Sequence, residues 1–180
     1  VSLGKQVLPL GNAVEREQAR RVIIGALKYC PQEKRETLAI GIGKQLRVEP
    51  RRDLMLTRNQ VAALGREPLI EIGGHTYSHP ILACVDPATA AEEMTRGKRE
   101  LEEITNDFVK GFAYPNGQPG HDYGPEHVDI AKRAGFSFAV STQWGAAQSD
   151  TDLFQLPRFT PWRRGGPGFV ASLLKVARAR

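Results

Sequence analysis

Alternating strand and helix signals over the second half of the chain predict an α/β domain built on a largely parallel sheet. Three observations carry that expectation. Short apolar runs closed by glycine or proline alternate with amphipathic stretches. Asp86-Pro87 and Gly135 mark a helix start and a helix stop. The chain's 180 residues, 41% hydrophobic and 25% charged, have the size and composition of one ordinary domain.

Residues 13–27 place Val14, Ala19, Val22, Ile23, Ala26 and Leu27 at helical spacing opposite Glu15, Arg16 and Arg20, an amphipathic helix that must end before Pro31. Residues 32–46 repeat the pattern with Leu38, Ile42 and Leu46 four apart, although Gly41 and Gly43 weaken a helix by about 1 kcal/mol each. Residues 48–52, with Pro50, read as a connection, and Thr57 is placed to cap a short helix through Leu64. Residues 68–73 predict a strand on Leu69-Ile70-Glu71-Ile72, with Glu71 as a buried hydrogen-bond acceptor, closed by Gly73-Gly74. Asp86-Pro87 opens a helix to about Ile104. Residues 109–113 and 136–141 predict strands around a helix at 126–134. A loop holding Trp144, Asp150 and Asp152 then leads to a last helix at 169–177 with Phe169, Val170, Leu173, Leu174 and Val176 on its apolar side.

With 25 basic against 20 acidic residues the net charge is +5, too diffuse for a nucleic-acid enzyme without a motif, so no nucleic-acid partner is expected. The apolar runs fall far short of the roughly 20 residues needed to span a bilayer, and no integral membrane segment is expected. Cys30 and Cys84 are too isolated for a disulfide framework or a cysteine zinc site. The compartment stays open.

Chemistry concentrates in two segments that follow predicted strands, where open α/β sheets and barrels bind ligands. His75 and His79, with three residues between them after Gly73-Gly74, could converge on one metal ion. A metalloprotease helix is excluded, because Thr76 stands where a glutamate is required and the flanking glycines and Pro80 oppose a continuous helix. Surface or hydrogen-bonded core histidines remain the alternative from spacing alone.

Glu71-Ile72-Gly73-Gly74-His75-Thr76-Tyr77-Ser78-His79-Pro80 resembles the metal-binding histidine motif of the polysaccharide deacetylases, the NodB-homology group or carbohydrate esterase family four. Phe112-Ala113-Tyr114-Pro115-Asn116-Gly117 resembles that family's third motif, and Phe154-Gln155-Leu156-Pro157-Arg158 a later segment of it; the resemblance covers residues 54–162. It implies a distorted (β/α) barrel that removes acetyl groups from an N-acetylated polysaccharide or oligosaccharide using a divalent metal, zinc foremost. By match, His75 and His79 are metal ligands, the Asn116 backbone N–H is the oxyanion donor, and Tyr114 and Pro115 shape the groove wall. Trp144 is a further candidate for stacking on sugar.

The chain departs from the family pattern at three places. No Thr-Phe-Asp-Asp-Gly segment is present to supply the base and third ligand, no arginine stands near Ala113 to hold a base, and the Leu-x-His that supplies an acid is Leu156-Pro157-Arg158 here. Arginine stays protonated and cannot exchange the proton. The expectation is therefore the C-terminal part of a deacetylase, with residues 1–52 a helical insertion, residues 53–180 the catalytic part, and the missing ligand and base upstream of Val1. His121 and His127 are candidates for the acid or for plain solvated residues. The alternatives are an inactive deacetylase-like glycan-binding module and an anion-binding domain using Arg158, Arg163, Arg164, Lys175, Arg178 and Arg180, in a stretch with no acid from Leu153 onward.

Overall fold

The computed structural model describes residues 1–49, 51, 53–160 and 165–178. Arg163, Arg164 and Arg180 of the basic C-terminal reading, together with Pro50 and Arg52 of the expected connection, lie outside the described residues. The chain divides into two compact units, Val1–Thr57 and Arg58–Arg180.

In the first unit β1 (Ser2–Leu3) pairs antiparallel with β2 (Gln6–Val7), and α1 (Ala13–Lys28) and α2 (Gln32–Leu46) follow. The Asn12 side chain accepts the Glu15 N–H at 3.0 Å, satisfying one of the amides a helix start leaves open. Gln45 ties α2 to the hairpin, accepting from Ser2 N at 2.7 Å and donating to Ser2 O at 3.1 Å. Leu8 and Ala19 are buried here, while Val14, Ile24, Ile40 and Val48 are exposed.

The second unit runs α3 (Arg58–Leu64), α4 (Pro87–Thr105), β3 (Gly111–Ala113), α5 (Pro125–Arg133), β4 (Phe138–Trp144), β5 (Leu156–Arg158) and α6 (Gly166–Arg178). The sheet order is β3-β4-β5, all parallel, with Ala113 opposite Val140 and Val140 opposite Leu156. Parallel neighbours need crossovers, and α5 supplies the one between β3 and β4. The result is an arc of a (β/α) barrel that stays open among the described residues. Asp86 opens α4 as its sequence implies, accepting Ala88 N and Thr89 N at 3.0 Å, with the Thr89 hydroxyl first in holding its carboxyl below the usual range. The core lies between α4, α5 and the sheet, where Ala90, Met94, Val109, Phe112, Val128, Ala131, Phe136 and Ala139 pack together.

Several expectations are corrected. Residues 69–72 form no strand: the chain turns there, Ile70 N bonding Glu67 O at 3.0 Å, and Leu69 is 97% exposed. Only Gly74 joins the sheet, its N–H donating to Gly111 O at 2.9 Å and its carbonyl accepting from Ala113 N at 2.8 Å. Alternation specifies a strand only where an apolar layer covers one face, and Glu71, expected inside, is exposed. Trp144 ends β4 instead of lying in a loop. β5 has three residues and contains Pro157, which suits an edge position and escapes a reading by periodicity.

Candidate active site

The carboxyl ends of the parallel strands gather the residues with chemistry. Just past Gly74, His75 directs Nδ1 at the Ala113 carbonyl, 2.6 Å away. A carbonyl only accepts, so the proton sits on Nδ1 and the Nε2 lone pair stays free, the tautomer a metal-binding histidine needs. The His79 ring meets that of His75 edge to face, with centroids 4.7 Å apart at 75°. Partial burial, foremost, lowers the His75 pKa below its ordinary value; the charges of His79 and Arg158 lower it further, and the Ala113 bond opposes them.

The turn between the histidines is unusual. Thr76 and His79 have φ of 63° and 60°, the left-handed region that disfavours side chains by about 1–2 kcal/mol each. Helix α4 holds it in place. Glu93 accepts Tyr77 N at 2.9 Å and Ser78 N at 2.7 Å on Oε2, and the Ser78 hydroxyl at 2.7 Å on Oε1. One turn along, a Cβ on Gly97 would stand 2.8 Å from the Thr76 carbonyl carbon and oxygen, so only glycine allows this approach. Arg96 covers the Tyr77 ring at 3.7 Å from its centroid. Glu93 went unrecognised as a site residue in the sequence, although it lies at helical spacing between Ala90 and Gly97, both buried. An acid on the inward stripe of a helix is the signal for it.

Past β3 the chain makes a γ-turn at Asn116, with φ 57° and the Gly117 N–H donating to Pro115 O at 2.6 Å. The Thr142 hydroxyl holds the Asn116 carbonyl at 2.7 Å. Among the described residues no acceptor takes the Asn116 N–H. Tyr114 and Pro115 are fully buried and line no groove in this structure. The Tyr114 ring stacks on Tyr123 at 3.8 Å and its hydroxyl donates to Phe154 O at 2.9 Å, with burial pushing its pKa up strongly. Trp144 is 47% exposed at the carboxyl end of β4, its ring edge-on to Phe159. Arg158, on β5, donates Nε to Ser141 O at 2.6 Å.

The other histidines divide. His121 is exposed, whereas His127 is buried, accepting the Gly124 N–H on Nδ1 at 3.0 Å and donating Nε2 to Leu82 O at 3.1 Å. That pairing makes His127 a structural residue with both nitrogens engaged. Asp152 caps the turn before β5, with the Phe154 N–H first in lowering its pKa. Among the described residues no group of three His, Cys, Asp or Glu side chains comes together. The pair of imidazoles therefore fits a divalent ion as two nitrogen donors of a set needing one more protein ligand.

The structure is an open parallel arc with paired imidazoles at its carboxyl edge. The polysaccharide deacetylase family model matches residues 38–139, and the chain belongs to that family. The Bacillus subtilis (strain 168) protein YxkH, described as a candidate polysaccharide deacetylase, is 27% identical over 117 residues, 65% of this chain and 39% of that protein. The Streptococcus pyogenes deacetylase PplD, solved in complex with acetate, superimposes with a TM-score of 0.60 at 23% identity over 78% of this chain and 63% of its own. The Bacillus cereus polysaccharide deacetylase BC0361 gives 0.56 at 22% identity over 67% and 38%. The chain thus spans less than two thirds of the length of these relatives, whose (β/α) barrel fold it shares in part.

Proposed function

We propose that the chain forms part of a metal-dependent hydrolase that removes N-acetyl groups from a polysaccharide or oligosaccharide, with His75 and His79 as metal ligands. The observation that carries this reading is the 4.7 Å edge-to-face pair at the carboxyl end of a parallel sheet, in a chain of the polysaccharide deacetylase family. A divalent ion held there, zinc foremost, would polarise the acetamide carbonyl and acidify its water. His75 contributes Nε2 because Ala113 fixes its Nδ1 proton. The Asn116 N–H, which no described residue accepts, would donate to the oxygen of a tetrahedral intermediate, a contribution typically worth about 10²- to 10³-fold in rate. Trp144 offers an exposed ring for sugar stacking. The reading requires a third ligand and a base in addition to the described residues.

The test is acetate release from N-acetylglucosamine oligomers by the whole protein, with and without chelator, alongside metal content. His75→Ala and His79→Ala should each abolish both; a variant keeping both refutes the reading. A non-catalytic glycan-binding role is favoured by one observation, the absence of a third ligand beside the pair among the described residues. It predicts glycan binding that chelator leaves unchanged, with no acetate released.

A further inference from the structure

The turn carrying His75 and His79 has two left-handed non-glycine residues, Thr76 and His79, and such a turn persists only when its surroundings determine it. Its own hydrogen bonds are confined to the Thr76 side chain, whose Oγ1 donates to the His75 carbonyl at 2.5 Å and accepts the His79 N–H at 3.1 Å, and neither reaches Tyr77 or Ser78. The determining contacts come from α4. Two successive amides, Tyr77 and Ser78, point at one oxygen of Glu93, and the Ser78 hydroxyl points at the other, at 2.7–2.9 Å. Bonds to an ionised acceptor at these lengths are the stronger kind. Among the described residues Glu93 forms no ion pair with lysine or arginine, so its carboxylate serves the turn alone. At Gly97, one helical turn on, the Thr76 carbonyl rests against the helix backbone and fixes the approach from the other end.

We propose that Glu93 is a positioning residue that holds the Thr76-Tyr77-Ser78 turn so that the two imidazoles face one point. The inference rests on the reading of His75 and His79 as metal ligands. Groups that orient ligands typically contribute 10- to 100-fold in metal affinity. Glutamine at this position keeps the geometry: its amide oxygen can accept both N–H groups, and its NH₂ can donate to Ser78 Oγ.

The experiment is Zn²⁺ titration of the whole protein by calorimetry, with amide exchange of Tyr77 and Ser78 followed in parallel. Glu93→Ala should weaken Zn²⁺ binding about 10- to 100-fold and speed exchange at both amides, Ser78→Ala should weaken binding a few-fold, and Glu93→Gln should stay within about three-fold of the parent. A folded Glu93→Ala that binds as the parent does overturns the proposal. So does a Glu93→Gln as weak as Glu93→Ala, which would assign the effect to charge. Should Glu93→Ala not fold, Ser78→Ala and Glu93→Gln decide, and parent-like binding by Ser78→Ala then counts against it. If the parent shows no Zn²⁺ binding that His75→Ala removes, the metal reading fails, and unchanged amide exchange in Glu93→Gln with loss of protection in Ser78→Ala still upholds the grip on the turn.

Discussion

Alanine at position 97 should carry the opposite sign to the same change at Gly25. In an open helix interior, Gly→Ala gains about 1 kcal/mol. Gly25, in α1, has nothing within 4 Å of an added Cβ, and Gly25→Ala should show that gain. At Gly97 the added carbon meets Thr76 C and O at 2.8 Å and Tyr77 N at 3.1 Å. The first distance is 3.4 − 2.8 = 0.6 Å inside the onset of ordinary contact, and the obstructing atoms are backbone, so no rotamer change relieves it. Overpacking of this kind costs about 1–3 kcal/mol. Subtracting the propensity gain of about 1 kcal/mol leaves Gly97→Ala destabilised by about 1 kcal/mol, within a range of about 0–2. Both tryptophans follow Thr57 in sequence, so urea unfolding followed by tryptophan fluorescence reads the unit that holds Gly97. With a slope of about 1–3 kcal/mol/M, the midpoint should fall by about 0.3–1 M. A midpoint raised by a similar amount would refute the close approach of α4 to the histidine turn.

Three further outcomes follow from the same geometry. His127→Ala strips the partners from a buried carbonyl, Leu82 O, and a half-buried amide, Gly124 N, and should lower stability by about 2–4 kcal/mol in the same unfolding assay; a loss below about 0.5 kcal/mol would mean the pairings contribute nothing. The Lys98 ammonium, foremost, and the Val109 N–H hold the Glu102 carboxyl below its ordinary 4.5, so its stabilisation is present above that value and is lost as pH falls through the lowered one. Glu102→Gln should flatten the acid limb of a midpoint-against-pH curve, and an unchanged limb counts against the interaction. In the metal-free chain His75 should titrate below 6.5, making stability fall as pH drops beneath that value, and Arg158→Met should move the titration upward; ring-proton NMR with His75 at or above 6.5 in the parent would contradict the burial argument.

Elements governed by local rules were legible in the sequence. The α4 start at Asp86-Pro87, the α1 start near Ala13 and the end of α5 before Gly135 each depend on capping or backbone freedom within a few residues. So did the segment holding His75 and His79, which its motif marks without any knowledge of packing. The strand expected on Leu69-Ile70-Glu71-Ile72 failed for a nonlocal reason, because a strand exists only where a neighbour accepts its hydrogen bonds and only Gly74 reaches β3. Tyr114, expected on a groove wall, is buried because Tyr123 and Phe154, nine and forty residues on, cover it.

The sequence by itself determined the helices, the alternation that makes a parallel α/β sheet and the pair of histidines, since propensity, caps and periodicity act over one or two turns. Tertiary structure alone decided that Glu93 grips the turn between them, that Gly97 lets a helix touch it, that His127 is structural and that no described residue accepts the Asn116 N–H. Those outcomes depend on which groups the fold brings within about 3 Å, where hydrogen bonds form and sterics exclude a methyl group, and that proximity is a property of packing between distant segments.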